Sequence, residues 1–121
     1  MKVLIVGSRS ILNFDLEEHI PQDTDLIISG GAHGIDELAE RYADQHKISK
    51  LILYPQYNKY GKAAPIKRNE VMVELCDMVL VIWDGISKGT MYTINYANQK
   101  NKPLTVIVNT KNPVICKTKN P

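Results

Sequence analysis

Five short apolar runs punctuate the chain at fairly even spacing: Val3–Val6, Leu26–Ile28, Leu51–Leu53, Met78–Trp83 and Leu104–Val108. Each is a mostly continuous stretch of Val, Ile and Leu, the pattern of strands buried on both faces of a parallel sheet. Helical periodicity fills the gaps. From Gly34 to His46, Ile35, Leu38, Ala39, Tyr42 and Ala43 fall on one stripe, with Asp36, Glu37, Glu40 and Asp44 largely off it. A shorter helix is expected over Asp15–Ile20, capped by Asn13 or Asp15 and stopped by Pro21. Pro65 suits the first turn of a third helix, in which Ile66–Leu75 is apolar enough to be largely buried. A fourth is expected from Gly89 to about Gln99, with Met91, Ile94 and Ala97 facing the sheet.

Strand and helix alternating in this order predict an α/β fold, a three-layer Rossmann-like sandwich around a five-stranded, mainly parallel sheet. The expected strand order is 3-2-1-4-5. In such a sheet the ligand crevice lies beyond the carboxyl ends of the strands, where the winding reverses. One domain over residues 1–108 is expected, followed by a tail, 109–121, whose Val114–Cys116 would serve as a short edge strand or a dimer contact.

The composition, 44% hydrophobic and 23% charged, is that of an ordinary globular domain. No apolar run approaches a membrane span, and Val3–Val6 is too short for a signal-peptide core, so a cytoplasmic protein with no membrane partner is expected. Cys76 and Cys116 are far apart and lack clustered histidines, which argues against zinc or a redox pair; no metal is expected, and Cys76 is expected to be buried. The net charge of +2 comes from a lysine-bearing tail, and the remaining body lacks the basic footprint of a duplex DNA binder.

Chemistry concentrates in the segments that follow the strands. Gly7-Ser8-Arg9 supplies a tight turn, a hydroxyl and a guanidinium suited to phosphate. Ser29-Gly30-Gly31-Ala32-His33-Gly34-Ile35-Asp36 leaves a strand and opens a helix, presenting N–H groups and a positive helix end to an anion, without matching a dinucleotide or P-loop pattern. Tyr54–Lys67 combines Tyr54, Tyr57 and Tyr60 with Lys62, as base stacking or simple cover of the core edge would. Lys67, Arg68 and Asn69 are expected to open the third helix, where two cations against the helix dipole suggest an anion. Trp83-Asp84-Gly85 leads through Ser87 and Lys88 to Gly89 and Thr90, a second anion cradle with Asp84 placed to accept from a sugar or amino group. Among the histidines only His33 lies on this rim.

Taken together and in order, these segments resemble the YspA/YpsA-related branch of the SLOG superfamily, from residue 2 to about residue 108. The resemblance implies a Rossmann-like domain with a nucleotide pocket that takes a nucleotide or ADP-ribose-like ligand, with no cofactor required. It implies a homo-oligomer and a setting in bacterial or phage conflict systems. The ligand-binding set expected on this basis is Gly7, Ser8, Arg9, Gly30, Gly31, His33, Gly34, Asp36, Lys62, Arg68, Asn69, Asp84, Ser87, Gly89 and Thr90. Two related groups set the alternatives. The "lonely guy" phosphoribohydrolases carry an Arg-Lys pair and a catalytic Glu. Here Arg68 and Met72 match, but Asn69 replaces the Lys and Thr93 stands where the Glu belongs. A hydroxyl cannot supply the carboxylate that an oxocarbenium-like centre requires. An N-glycosidase would have to draw on Arg68 with Asp36 or Glu70, and no catalytic residue is assigned. The DNA-processing protein A group shares the Gly-Ser-Arg and Ser-Gly-Gly-Ala-x-Gly-Ile-Asp stretches. Without a basic surplus or an attached domain, single-stranded DNA is the third choice of ligand. With no attached effector expected either, sequestering the ligand carries the same weight as sensing it.

Overall fold

The computed structural model describes residues 1–109 and the backbone of Thr118–Lys119. Five strands, β1 (Lys2–Gly7), β2 (Leu26–Ser29), β3 (Ser49–Ile52), β4 (Met78–Trp83) and β5 (Leu104–Val108), pair in parallel in the order β3-β2-β1-β4-β5. A two-residue strand, β6 (Thr118–Lys119), adds antiparallel to β5. Val114–Cys116, expected at this edge, lies outside the described residues.

Period-two geometry sends alternate residues of each strand to opposite faces. Val3 and Ile5 of β1, with Ile27, Leu80, Ile82 and Ile107, pack beneath α1 (Ile35–Gln45) through Ile35, Ala39 and Ala43. On the other face Leu4, Val6, Ile28, Val79 and Val81 pack under two helices, through Met72 and Val73 of α3 (Ala64–Leu75) and Ile94 and Ala97 of α4 (Lys88–Gln99). The result is a three-layer Rossmann-like α/β sandwich. Among the described residues no helix is long and apolar enough to cross a membrane.

Three elements differ from expectation. Asp15–Ile20 is a run of turns instead of a helix. The Asp15 carboxylate accepts from the Glu17 N–H, and Pro21 leaves too few residues to repay helix nucleation. The segment still delivers Ile11, Leu16 and Ile20 to the α1-side core. α3 is less buried than its composition suggests: it starts at Ala64 and buries Ala64, Met72 and Val73, leaving Ile66, Val71 and Leu75 exposed. Pro65 does fall in its first turn. In α4 the buried stripe is Thr90, Thr93, Ile94 and Ala97, so Met91 points outward. The segment between β3 and α3 carries a short helix, α2 (Tyr57–Tyr60), and a 3-10 turn (Gly61–Ala63).

Candidate ligand-binding cleft

The first three strands wind one way under α1 and the last two the other way under α3 and α4. This places the reversal at the carboxyl ends of β1 and β4. At that point the chain is closed. The Ser8 N–H donates to the Ile82 carbonyl at 3.1 Å, the buried Ser8 hydroxyl accepts from the Asp84 N–H at 2.9 Å, and Ser10 Oγ donates to Asp84 Oδ2 at 3.1 Å. Asp84 also caps its own turn by accepting from the Ile86 and Ser87 N–H groups at 2.8 and 2.9 Å. Burial works against the Asp84 carboxylate. The Ser87 and Ile86 N–H groups and the two serine hydroxyls outweigh it and hold its pKa below the usual carboxylate range. Ser8 and Asp84, expected to meet ligand, thus form a clasp between β1 and β4.

The open space lies beside this clasp, toward α3 and α4, as a cleft of about 310 Å3. Its walls come from the segments that follow the first four strands. Gly7 and Arg9 follow β1; Gly30, Gly31 and Asp36 follow β2; Tyr54 and Tyr57 follow β3. Arg68 and Asn69 contribute from α3, and Ser87, Gly89, Thr90 and Thr93 from the start of α4. The Ser87 carbonyl accepts from the Met91 N–H at 3.2 Å, but α4 has no side-chain cap, so the N–H groups ahead of Met91 and the positive end of the dipole border the cleft.

Arg68 is the most constrained side chain in this set. Because α3 begins at Ala64, Arg68 lies in its second turn and not at its opening, and it reaches back to the sheet. Its Nη1 donates to the Gly30 carbonyl at 2.5 Å and the Leu53 carbonyl at 3.0 Å, and its Nε donates to Asn69 Oδ1 at 2.8 Å. Asn69 in turn donates to the Thr93 hydroxyl at 3.0 Å, and that hydroxyl donates to the Gly89 carbonyl at 3.2 Å. Three of the five guanidinium hydrogens are therefore committed to protein. Nη2 has no protein partner among the described residues, and no buried side-chain polar atom among them is unpaired, so Nη2 faces solvent. Arg68 can offer a ligand one nitrogen. It cannot offer the two-nitrogen fork that grips a phosphate.

Arg9 has that fork. It is exposed on the cleft wall, and among the described residues its side chain makes no hydrogen bond or ion pair. It lies near enough to Arg68 to act on it: burial, then the Arg9 charge, lower the Arg68 pKa, while Asp36 and Tyr57 work to raise it.

Asp36 is the buried acid of the site, 6% exposed. Its Oδ2 accepts from the Ala32 N–H at 3.1 Å. Burial dominates its titration and pushes the pKa up to about 6, against the lowering effects of the Ala32 N–H and of Arg68 and with a further push from Glu40. Asp36 and Arg68 both close on Gly30, where a Cβ would lie 2.7 Å from Arg68 Nη1 and 3.0 Å from Asp36 Oδ2. They form no ion pair within 4.0 Å among the described residues. At Gly31, φ is +72° and a Cβ would collide with the Tyr54 ring at 2.5 Å, so the ring lies flush on the glycine.

No family model, curated protein or solved structure matches this chain. The site therefore rests on its own geometry. Of the residues expected from sequence, the cleft gathers Gly7, Arg9, Gly30, Gly31, Asp36, Arg68, Asn69, Ser87, Gly89 and Thr90. Ser8 and Asp84 belong to the clasp. Gly34 packs against the Ser8 and Arg9 carbonyls. His33 is exposed and pairs with Glu37 at 2.7 Å. Lys62 and Lys88 are exposed and outside the cleft walls. Glu70 also lies outside, accepting from the Tyr92 hydroxyl. Tyr54 and Tyr57 are walls that the expected set omits, although their place after a strand beside the glycine-rich segment is the signal that finds them. Among the described residues no three His, Cys, Asp or Glu side chains converge on a metal site.

Proposed function

We propose that this cleft binds a nucleotide or nucleotide-derived ligand, for sensing or sequestration, without consuming it. The observation that carries the reading is that, among the described residues, one cleft gathers the unpaired guanidinium fork of Arg9, the uncommitted Nη2 of Arg68 and a start of α4 that has no side-chain cap. Arg9 takes a phosphate through its fork, the open N–H groups at the start of α4 take further oxygens, and Arg68 Nη2 adds one donor. The Tyr54 ring, 64% exposed on its glycine seat, is a stacking surface for a base. Asp36 accepts from a ribose hydroxyl or an amino group. The resemblance to SLOG nucleotide-binding domains supports the same reading.

The test is thermal stabilisation by AMP, ADP, ATP, NAD, ADP-ribose and cyclic ADP-ribose isomers, in the wild-type protein and in Arg9→Ala. A ligand present at a hundred times its Kd stabilises by about 2.7 kcal/mol. Stabilisation by a phosphate-bearing nucleotide, weakened at least tenfold in Kd by Arg9→Ala, is the expected result. No stabilisation by any of the six would overturn the reading. Arg9 is the residue to replace because it is exposed and unpaired, whereas removing Arg68 would strip the Gly30 and Leu53 carbonyls of their donor.

A second reading, a nucleotide N-glycosidase, draws on Asp36 alone. A carboxyl whose pKa is raised to about 6 inside a cleft suits general acid chemistry near neutral pH. Glu70, the other carboxylate considered, is turned away to Tyr92. Sustained release of free base, abolished by Asp36→Asn, would favour this reading over binding.

A further inference from the structure

The segment between β3 and α3 is pinned at both ends and loosely held between them. The Leu53 N–H donates to the Ser29 carbonyl at 2.9 Å, the Leu53 carbonyl accepts from Arg68, and the Tyr54 ring sits on Gly31. At the far end Ala64 is fully buried at the start of α3. From 56 to 63 every residue is exposed, α2 and the 3-10 turn included, so no side chain of the segment is fixed in the core. Its backbone hydrogen bonds are local. The Lys59 and Tyr60 N–H groups donate to the Gln56 carbonyl, the Gly61 N–H to the Tyr57 carbonyl and the Ala64 N–H to the Gly61 carbonyl. Among the described residues the segment makes no ion pair.

We propose that residues 56–63 are a lid that closes over the occupied cleft, and that Lys59 and Lys62 join the bound anion when it does. The proposal rests on the nucleotide reading above and adds to it a moving part and two residues that the open cleft does not contain. Open space borders the segment on three sides. Tyr57 is a wall of the binding cleft; Gln56, Lys59 and Tyr60 line a second cavity, about 400 Å3, against α3; and a hollow of about 480 Å3 is lined by residues 55–59 alone. A segment with no buried side chain and solvent-exposed hydrogen bonds lies at the low-stability end of a fold, from which ligand-covering elements are drawn.

The dimensions suit a lid. A cleft of about 310 Å3 is roughly 7 Å across, and one helical turn with its side chains, about 10 Å wide, covers it. Gly61 makes the joint between α2 and the 3-10 turn. Its φ of +57° and ψ of −131° belong to glycine, and a Cβ there would meet nothing within 4 Å, so the glycine serves the bend of the backbone and no packing contact.

The charge gives the motion a direction. Gln56-Tyr57-Asn58-Lys59-Tyr60-Gly61-Lys62-Ala63 holds two cations and no acid, and neither lysine lines the open cleft. An anion seated between Arg9 and the start of α4 draws these cations inward. Closing also buries the Tyr57 ring, which is 60% exposed in the open form.

Two measurements with ADP as the probe test the lid, after calorimetry has established whether ADP binds. Hydrogen exchange followed by mass spectrometry should show amides 57–63 exchanging freely in the unliganded chain and at least tenfold more slowly at saturating ADP. Lys47, in the turn after α1 and outside the cleft walls, should keep its rate. Stopped-flow kinetics should then compare the wild type with the double variant Lys59→Gln, Lys62→Gln, whose replaced side chains are exposed and leave the core intact. At about 0.15 M salt, where charges more than about 8 Å apart are largely screened, ADP should leave the variant at least fivefold faster, with its association rate changed less than twofold. A variant that changes only the association rate, or neither rate, overturns the lid, because lysines that stay outside the cleft act on approach alone. So does a segment that ADP leaves unprotected, or one already protected without it. If ADP binds under any of these results, the nucleotide reading stands without the lid; if ADP does not bind, that reading fails and the lid falls with it.

Discussion

Asp36 and Arg68 show how a single side chain can serve the fold and the cleft at once. Asp36 is protonated more readily in the folded chain than in the unfolded one, with its pKa raised from 3.8 to about 6 by burial. Between those values the folded state holds more protons, so stability must fall as pH rises through the window, by at most about 1.4 kcal/mol per pH unit. Asp36→Asn keeps an acceptor for the Ala32 N–H and removes the titration. Urea midpoints measured from pH 4 to pH 8 should therefore decline for the wild type relative to the variant, with the variant the more stable at pH 7. Equal pH profiles would show that Asp36 is not desolvated. Arg68 works in the opposite sense. Its inward donors satisfy two carbonyls at the ends of β2 and β3, and Arg68→Ala should cost about 1–3 kcal/mol in denaturation whether or not ligand is present.

At the scale of elements, the strands and long helices were legible because burial on both faces writes continuous apolar runs, and burial on one face writes a stripe. β4 and β5 match their apolar runs residue for residue, and α1 differs from its stripe by one residue at each end. What was not legible came from local turn chemistry in one place and from contacts between distant segments in others. Asp15–Ile20 has helical composition, yet a side-chain cap two residues away and Pro21 fold it as turns. Those turns still act as a structural layer. Leu16, 4% exposed among Ile11, Ile20 and α1, should cost about 2–5 kcal/mol when replaced by Ala, measured by chemical denaturation. A loss under 1 kcal/mol would mean that the segment merely drapes over the core. In α4 the buried stripe begins with Thr90 and Thr93, polar residues that a hydrophobic pattern passes over, and this is why Met91 looked like a core residue. The site was legible to a similar depth. Glycines, Arg9 and Asp36 announced themselves after strands, but the acceptors that commit Arg68 and Asp84 lie 38 and 76 residues away in sequence.

For the whole molecule, the winding of the sheet decided where a ligand could go, and the Ser8–Asp84 clasp then moved it sideways. With the reversal point sewn shut, the accessible space shifted to the α3–α4 side, and one core, the layer of Leu4, Val6, Met72, Val73 and Ile94, became its foundation. The clasp also has a consequence in time. Residues 8–10 and 84–87 belong to loops that follow different strands, and separate loops ordinarily sample their conformations independently on the nanosecond to microsecond scale. Here three hydrogen bonds tie Ser8 and Ser10 to Ile82 and Asp84, and two more hold the Asp84 turn together. Arg9, the free guanidinium, is carried on one half of this joined body, and the first turn of α4 hangs from the other. Backbone relaxation should therefore report one shared exchange process for both segments. Ser8→Ala should split it into two with unequal rates, leaving the arginine and the helix end to find each other afresh at every encounter with an anion.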